Sequence, residues 1–113
     1  MAKSAIPIMH SVSLEWHTVP GIDGAYYAQL NVDPATGACT WLIKQEAGGV
    51  FPCHNHPAWT EMILLDGSMS GPEGEFSRLS YQSCPPGIEH GPYKVGVNGM
   101  QALLVSEGPV WAE

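Results

Sequence analysis

FPCHNHPAWTEMILLDG, residues 51–67, is the stretch on which the reading of this chain turns. It sets His54 and His56 two residues apart between Pro52 and Pro57, then runs through Thr60 and Glu61 into an apolar segment closed by Gly67. Side chains at i and i+2 of an extended strand share one face, so a strand here projects both imidazoles together. Two protonated rings held that close would repel, whereas a shared divalent metal ion binds both as neutral imidazoles. The two prolines stiffen the segment and lower the entropy lost when the ligands are fixed. A third histidine, His90, follows the turn residues Pro86 and Gly87 in CPPGIEHGPY (84–93). Two separated segments thus offer three imidazoles, as an interior site in a closed β fold requires.

Outward from this stretch, thirteen glycines and ten prolines punctuate the chain and leave no window with a clean helical period. The segments between them are short and rich in β-branched and aromatic residues. They predict strands over 13–19, 25–32, 38–45, 61–67, 76–82, 90–95 and 100–107. DPATG (33–37) reads as a hairpin connection with Gly37 free to take positive φ, and GPEGE (71–75) as a second turn. Many short strands within 113 residues indicate one all-β domain over 1–113, of sandwich, barrel or jelly-roll type.

Charge narrows the partners. Four Lys and Arg against eleven Asp and Glu give a formal charge of −7, which lacks the basic surface that nucleic acid or an anionic membrane would need. The N-terminal MAKSAIPIMHSVSLEW holds no signal-peptide core, and nothing approaches a membrane span, so the expected location is cytoplasmic. Cys39, Cys53 and Cys84 show no CxxC spacing and read as reduced thiols, with Cys53 and Cys84 expected to pack as small hydrophobes.

GGVFPCHNHPAWTEMILLDG (48–67) resembles the first cupin motif, through Gly48, five residues, His54, His56, a glutamate and Gly67. SCPPGIEH (83–90) resembles the second, through Pro85, Gly87 and His90, so the metal-binding motifs span 48–67 and 85–94. The resemblance implies a double-stranded β-helix, the cupin jelly roll, holding one divalent ion: Fe(II) by preference, with Zn, Mn or Ni as alternatives. Among cupins the pattern is most similar to acetylacetone-dioxygenase-like enzymes and to the cupin domain of zinc-binding anti-sigma factors. Leu79 stands where the second motif usually begins with glycine, and Lys94 where it usually ends with asparagine. In the zinc-binding relatives a glutamate ligand sits four residues after the second histidine, the place of Thr60 here; Glu61 is one later. Strand alternation leaves two registers. One fixed by Gly67 turns Thr60 to the site, and one with a longer PAWT turn brings Glu61 inward. Because an inward carboxylate supplies the negative charge a divalent ion favours, the expected ligand set is His54, His56, His90 and Glu61.

Trp41, Trp59, Met62, Tyr81 and Tyr93 are candidates to line an apolar pocket above the metal, with Asn55 and Thr60 as hydrogen-bonding groups near it. His10 and His17 match no motif, and Glu89 is expected on the face away from His90. With no GxSxG or paired catalytic acids, chemistry falls to the metal. The resemblance implies oxidative carbon–carbon cleavage of a small diketone or aryl ketone. The alternatives are a non-catalytic zinc-binding sensor or ligand-binding module, and a non-redox isomerase or lyase. A homodimer is expected, with the N-terminal arm (about 1–12), especially SAIPIMHSVS, crossing to the partner.

Overall fold

The computed structural model describes residues 13–111. Residues 1–12, with His10 and most of the segment expected to cross to a second subunit, lie outside the described residues. Eight strands follow in order: β1 (His17–Thr18), β2 (Ala25–Val32), β3 (Cys39–Gln45), β4 (Val50–Phe51), β5 (Thr60–Gly71), β6 (Gly74–Phe76), β7 (Tyr81–Cys84) and β8 (Tyr93–Ser106). Every pairing is antiparallel, and no α-helix occurs among the described residues.

Two long strands organise the jelly-roll sandwich. The C-terminal half of β8 lies between β3 and the first half of β5, and β7 pairs with the far side of β5. The N-terminal half of β8 pairs with β4 and with the second half of β5, which also pairs with β6. Each long strand therefore contributes to both layers. The change of layer in β5 falls at register shifts between Leu64 and Asp66 and between Gly67 and Met69. Gly67 is required there: its φ is +80°, and a Cβ would sit 2.0 Å from the Gly99 carbonyl oxygen.

The strands expected over 90–95 and 100–107 are one strand, because Gly96 and Gly99 fall in an irregular stretch of its pairing with β5 that does not end the strand. The strand expected over 76–82 is instead divided. Ser77 and Ser80 close a turn in which Leu79 has φ +72°, the only positive-φ non-glycine residue among those described. The DPATG hairpin joins β2 to β3 as expected. Asp33 Oδ1 accepts from Ala35 N, and Gly37 sits at φ +81°.

Alternation divides each strand between core and solvent. Leu64, Met69, Phe76, Tyr93, Val95, Met100 and Ala102 form the main buried cluster. A second cluster gathers Cys39, Trp41, Leu104 and Val110, with Met62 packed against both. Burying side chains of this size stabilises by roughly 1.5–3 kcal/mol each. Of the first cluster, Met69, Tyr93 and Met100 also face the cavity at the histidines.

Candidate metal centre

His54, His56 and His90 converge. Their nearest ring nitrogens all lie within 4.8 Å of one another, and the ring centroids are 4.3–5.2 Å apart. The backbone brings them together in a way the strand reading missed. His54 and His56 sit not on a regular strand but on the irregular connection between β4 and β5. His54 and His90 form an isolated antiparallel bridge with both hydrogen bonds made, at 3.0 and 2.9 Å. The His56 carbonyl accepts from Gly87 N at 2.9 Å, tying the HxH segment to the PPG turn. Pro52 and Pro57 cannot donate to a ladder, which keeps this segment from joining a sheet.

The rings are also oriented. Nδ1 of His54 donates to the Pro52 carbonyl and Nδ1 of His56 to the Val110 carbonyl, both at 2.7 Å. A carbonyl can only accept, so each ring keeps its proton on Nδ1 and presents a bare Nε2. His90 Nδ1 lies 3.0 Å from the Tyr93 hydroxyl, while its Nε2 is buried with no hydrogen-bond partner. Burial lowers the pKa of His56, and the neighbouring His54 adds to this against the opposing bond to Val110. Burial, then the nearby His54 and His56 rings, push His90 down to about 4. Two imidazoles whose Nδ1 positions are tied to carbonyls, with a third whose buried Nε2 has no partner, are a donor set that suits a divalent ion.

The imidazoles open into a cavity of about 290 Å³. Ile43, Phe51, Met62, Met69, Met100, Leu104, Val110 and Trp111 line it, and Asn55, Thr60, Gln82 and Tyr93 bring polar groups. Among the described residues, no Asp, Glu, Lys or Arg lines its wall.

Glu61 is not among these residues, and the expectation that it completes the ligand set is corrected. On β5, Thr60 opposes Ser106 and Cys84 and is 3% exposed, whereas Glu61 opposes Val105 and Ser83 on the outer face. The Glu61 carboxylate accepts the Tyr81 hydroxyl proton there, which raises the Tyr81 pKa. This is the register set by Gly67, and it gives the site three histidines with Thr60 beside them.

The family profile described as the ChrR cupin-like domain matches residues 6–110. This chain belongs to the ChrR cupin-like family. No match among curated proteins reaches significance. Solved structures agree on the cupin fold at low identity. The polyketide cyclase RemF from Streptomyces resistomycificus is 19% identical, with TM-score 0.75, over 90% of this chain and 79% of that one. An acetylacetone dioxygenase from Acinetobacter johnsonii is 22% identical, with TM-score 0.73, over 96% and 76%. The anti-sigma factor ChrR, solved with SigE of Rhodobacter sphaeroides, is 20% identical, with TM-score 0.72, over 86% of this chain and 51% of its own. This cupin therefore spans about half of ChrR.

Of the residues expected near the metal of this cupin, Asn55, Thr60, Met62 and Tyr93 line the cavity. Trp41, Trp59 and Tyr81 do not. Trp41 is buried in the second core cluster, stacked on Tyr27 at 4.1 Å between ring centroids. Trp59 is 41% exposed and donates to Ser83 Oγ, and Tyr81 is 58% exposed on the same outer face. Cys53 is exposed beside Glu89 and does not pack, while Cys39 and Cys84 are buried; all three are free thiols. Sequence reasoning missed Met69, Met100 and Gln82, which reach the cavity only through the pairing of β5, β7 and β8. Alternation inward from Thr60 would have pointed to Met62 and its partner across the ladder, Gln82.

Proposed function

We propose that this cupin is a metal-dependent enzyme that holds one divalent ion, Fe(II) by preference, on His54, His56 and His90. Its proposed reaction is the oxidative cleavage of a small diketone or aryl ketone. The observation that carries this reading is the combination of three converging imidazoles with a cavity that no described Asp, Glu, Lys or Arg lines. Three neutral donors leave a divalent ion its full charge, and no described residue that lines the cavity offsets it. A ligand that brings its own negative charge on a pair of oxygens, together with an apolar body, satisfies both demands; the enolate of a 1,3-dicarbonyl compound is such a ligand. When bound, the ion supplies Lewis-acid polarisation of those oxygens and a place to bring them together with dioxygen.

The chain supplies the rest. The carbonyls of Pro52 and Val110 fix two rings with Nε2 toward the cavity. Met62, Met69, Met100, Leu104 and Val110 surround the apolar body and exclude water. Asn55 and Thr60 are the polar groups placed to orient oxygens. Thr60 also favours an enzyme over a zinc-sensing module built like the anti-sigma relatives, because it occupies the place of their carboxylate ligand. The similarity to a polyketide cyclase supports a second reading, a non-redox reaction on a ketone-rich substrate with the ion as Lewis acid alone.

Metal content of protein purified without chelator or added ions, followed by oxygen uptake with acetylacetone and hydroxyaryl ketones, tests the proposal. Bound iron and uptake stoichiometric with substrate are expected. Turnover that proceeds without oxygen would replace the dioxygenase by the Lewis-acid reading, and absence of metal even after reconstitution would remove both.

A further inference from the structure

The three candidate ligands are oriented by unlike partners. His54 and His56 each meet a carbonyl oxygen, which fixes the proton on Nδ1. His90 instead meets the Tyr93 hydroxyl at 3.0 Å, a group that both donates and accepts. That contact alone leaves the His90 tautomer open. If Tyr93 donated to Nδ1, the ring proton would sit on Nε2 and block the lone pair that faces the other two histidines.

The surroundings of Tyr93 decide between the two. Gln82 Nε2 donates to the Tyr93 oxygen at 2.9 Å and occupies one lone pair. A proton on His90 Nε2 would be a buried donor without an acceptor, because no partner lies within hydrogen-bond reach of that atom. The ring proton therefore belongs on Nδ1, which donates to the lone pair that Gln82 leaves free on the Tyr93 oxygen. Turning the Gln82 amide over leads to the same state, because its Oε1 would then take the Tyr93 proton.

We infer that Tyr93, held by Gln82, is a positioning residue that keeps His90 protonated on Nδ1 and so presents its Nε2 lone pair to the metal ion. The arrangement is built in. Tyr93 is 3% exposed, and its ring packs edge-on to Phe76 at 5.7 Å between centroids. The ring fits only because residue 71 is glycine, where a Cβ would sit 2.5 Å from Tyr93 Cδ1. The orphaned atom is His90 Nε2, the one this arrangement leaves bare.

The inference rests on the reading of the three histidines as metal ligands, and two measurements keep the two apart. Side-chain nitrogen–proton NMR of the metal-free protein reads the tautomer directly. His90 should carry its proton on Nδ1 in the wild type and lose that preference in Tyr93→Phe, which keeps the ring and its packing. Zinc affinity, measured by chelator competition, should fall roughly 10- to 100-fold in Tyr93→Phe. Gln82→Leu should fall less, and should add nothing in the Tyr93→Phe background, since it acts through the hydroxyl. Tyr81→Phe, on the outer face, should change neither quantity. A wild-type His90 protonated on Nε2, or a Tyr93→Phe protein that binds zinc as tightly as wild type, overturns the inference. If Tyr93→Phe does not fold, Gln82→Leu decides by the same affinity: weaker binding supports the arrangement and unchanged binding overturns it. A wild type that binds no zinc would remove the metal reading, and the NMR tautomer would still decide the positioning.

Discussion

Acid should destabilise the metal-free protein through His90, and the size of the effect follows from its surroundings. An unfolded histidine titrates near 6.5, whereas burial and the facing His54 and His56 rings push His90 down to about 4. Between those values the unfolded chain binds the proton and the folded chain does not, so stability rises with pH across this window and is lost as pH falls from 6.5 toward 4. Integrating the linkage relation gives a loss of about 2 kcal/mol at pH 5 and about 3 kcal/mol at pH 4, as upper figures for a ring that water partly reaches. His56, lowered mainly by burial, acts in the same direction. Against a typical total of about 5–15 kcal/mol this is a large share. The assay is urea unfolding of chelator-treated protein, followed by circular dichroism at pH 7 and pH 5, for wild type and His90→Gln. Contributions from the eleven Asp and Glu are common to both proteins and cancel. Wild type should lose more than the variant over this interval, by up to about 2 kcal/mol. Equal losses would refute the placement of a neutral, desolvated imidazole at residue 90.

Further expectations concern the ligands and the backbone. His54→Ala and His90→Ala should each abolish tight metal binding while preserving the β circular-dichroism spectrum, and unchanged metal content in either would sink the assignment. Glu61→Gln should retain full metal occupancy; loss of the ion would show that the carboxylate reaches it after all. Leu79→Gly should raise the melting temperature, because the left-handed conformation costs leucine roughly 1–2 kcal/mol against the roughly 0.5–1 kcal/mol entropic cost of glycine. A lower melting temperature would mean that the exposed Leu79 side chain makes contacts worth more than the strain. Gly67→Ala should destabilise by more than about 2 kcal/mol, since positive φ and a collision with the Gly99 carbonyl act together; near-neutral stability in denaturant would contradict the close approach of β5 and β8.

The histidines were legible because two short motifs encode them by spacing, and those spacings survive even where the local structure is not the strand they suggest. Glu61 was not, since one residue of register decides which way it faces, and register depends on how β5 lies against β7 and β8. The division of strands was misread for a related reason. Gly96 and Gly99 look like breaks, yet the Gly96 Cα lies so close to Ser68 Oγ that a Cβ would meet it at 2.2 Å, which makes glycine a packing requirement inside β8. Conversely, Leu79 carries no turn signal, although the chain there has the backbone that glycine would adopt most easily. The resemblance to cupin motifs marked position 79 as a glycine site before the structure gave its φ. Gln82 could not be read as part of the site, because only its ladder partner Met62 and its contact with Tyr93 place it there.

The paired hydrogen bonds between His54 and His90 have a consequence for the ion itself. Main chain already fastens two of the three ligands to each other, so an arriving ion finds them assembled and need not organise them. The chain should accordingly fold without an ion, in contrast to a domain whose structural zinc supplies its folding energy. An ion held this way would be lost and regained without the chain unravelling, and the species resident would follow which metals the surroundings offer and how fast each exchanges.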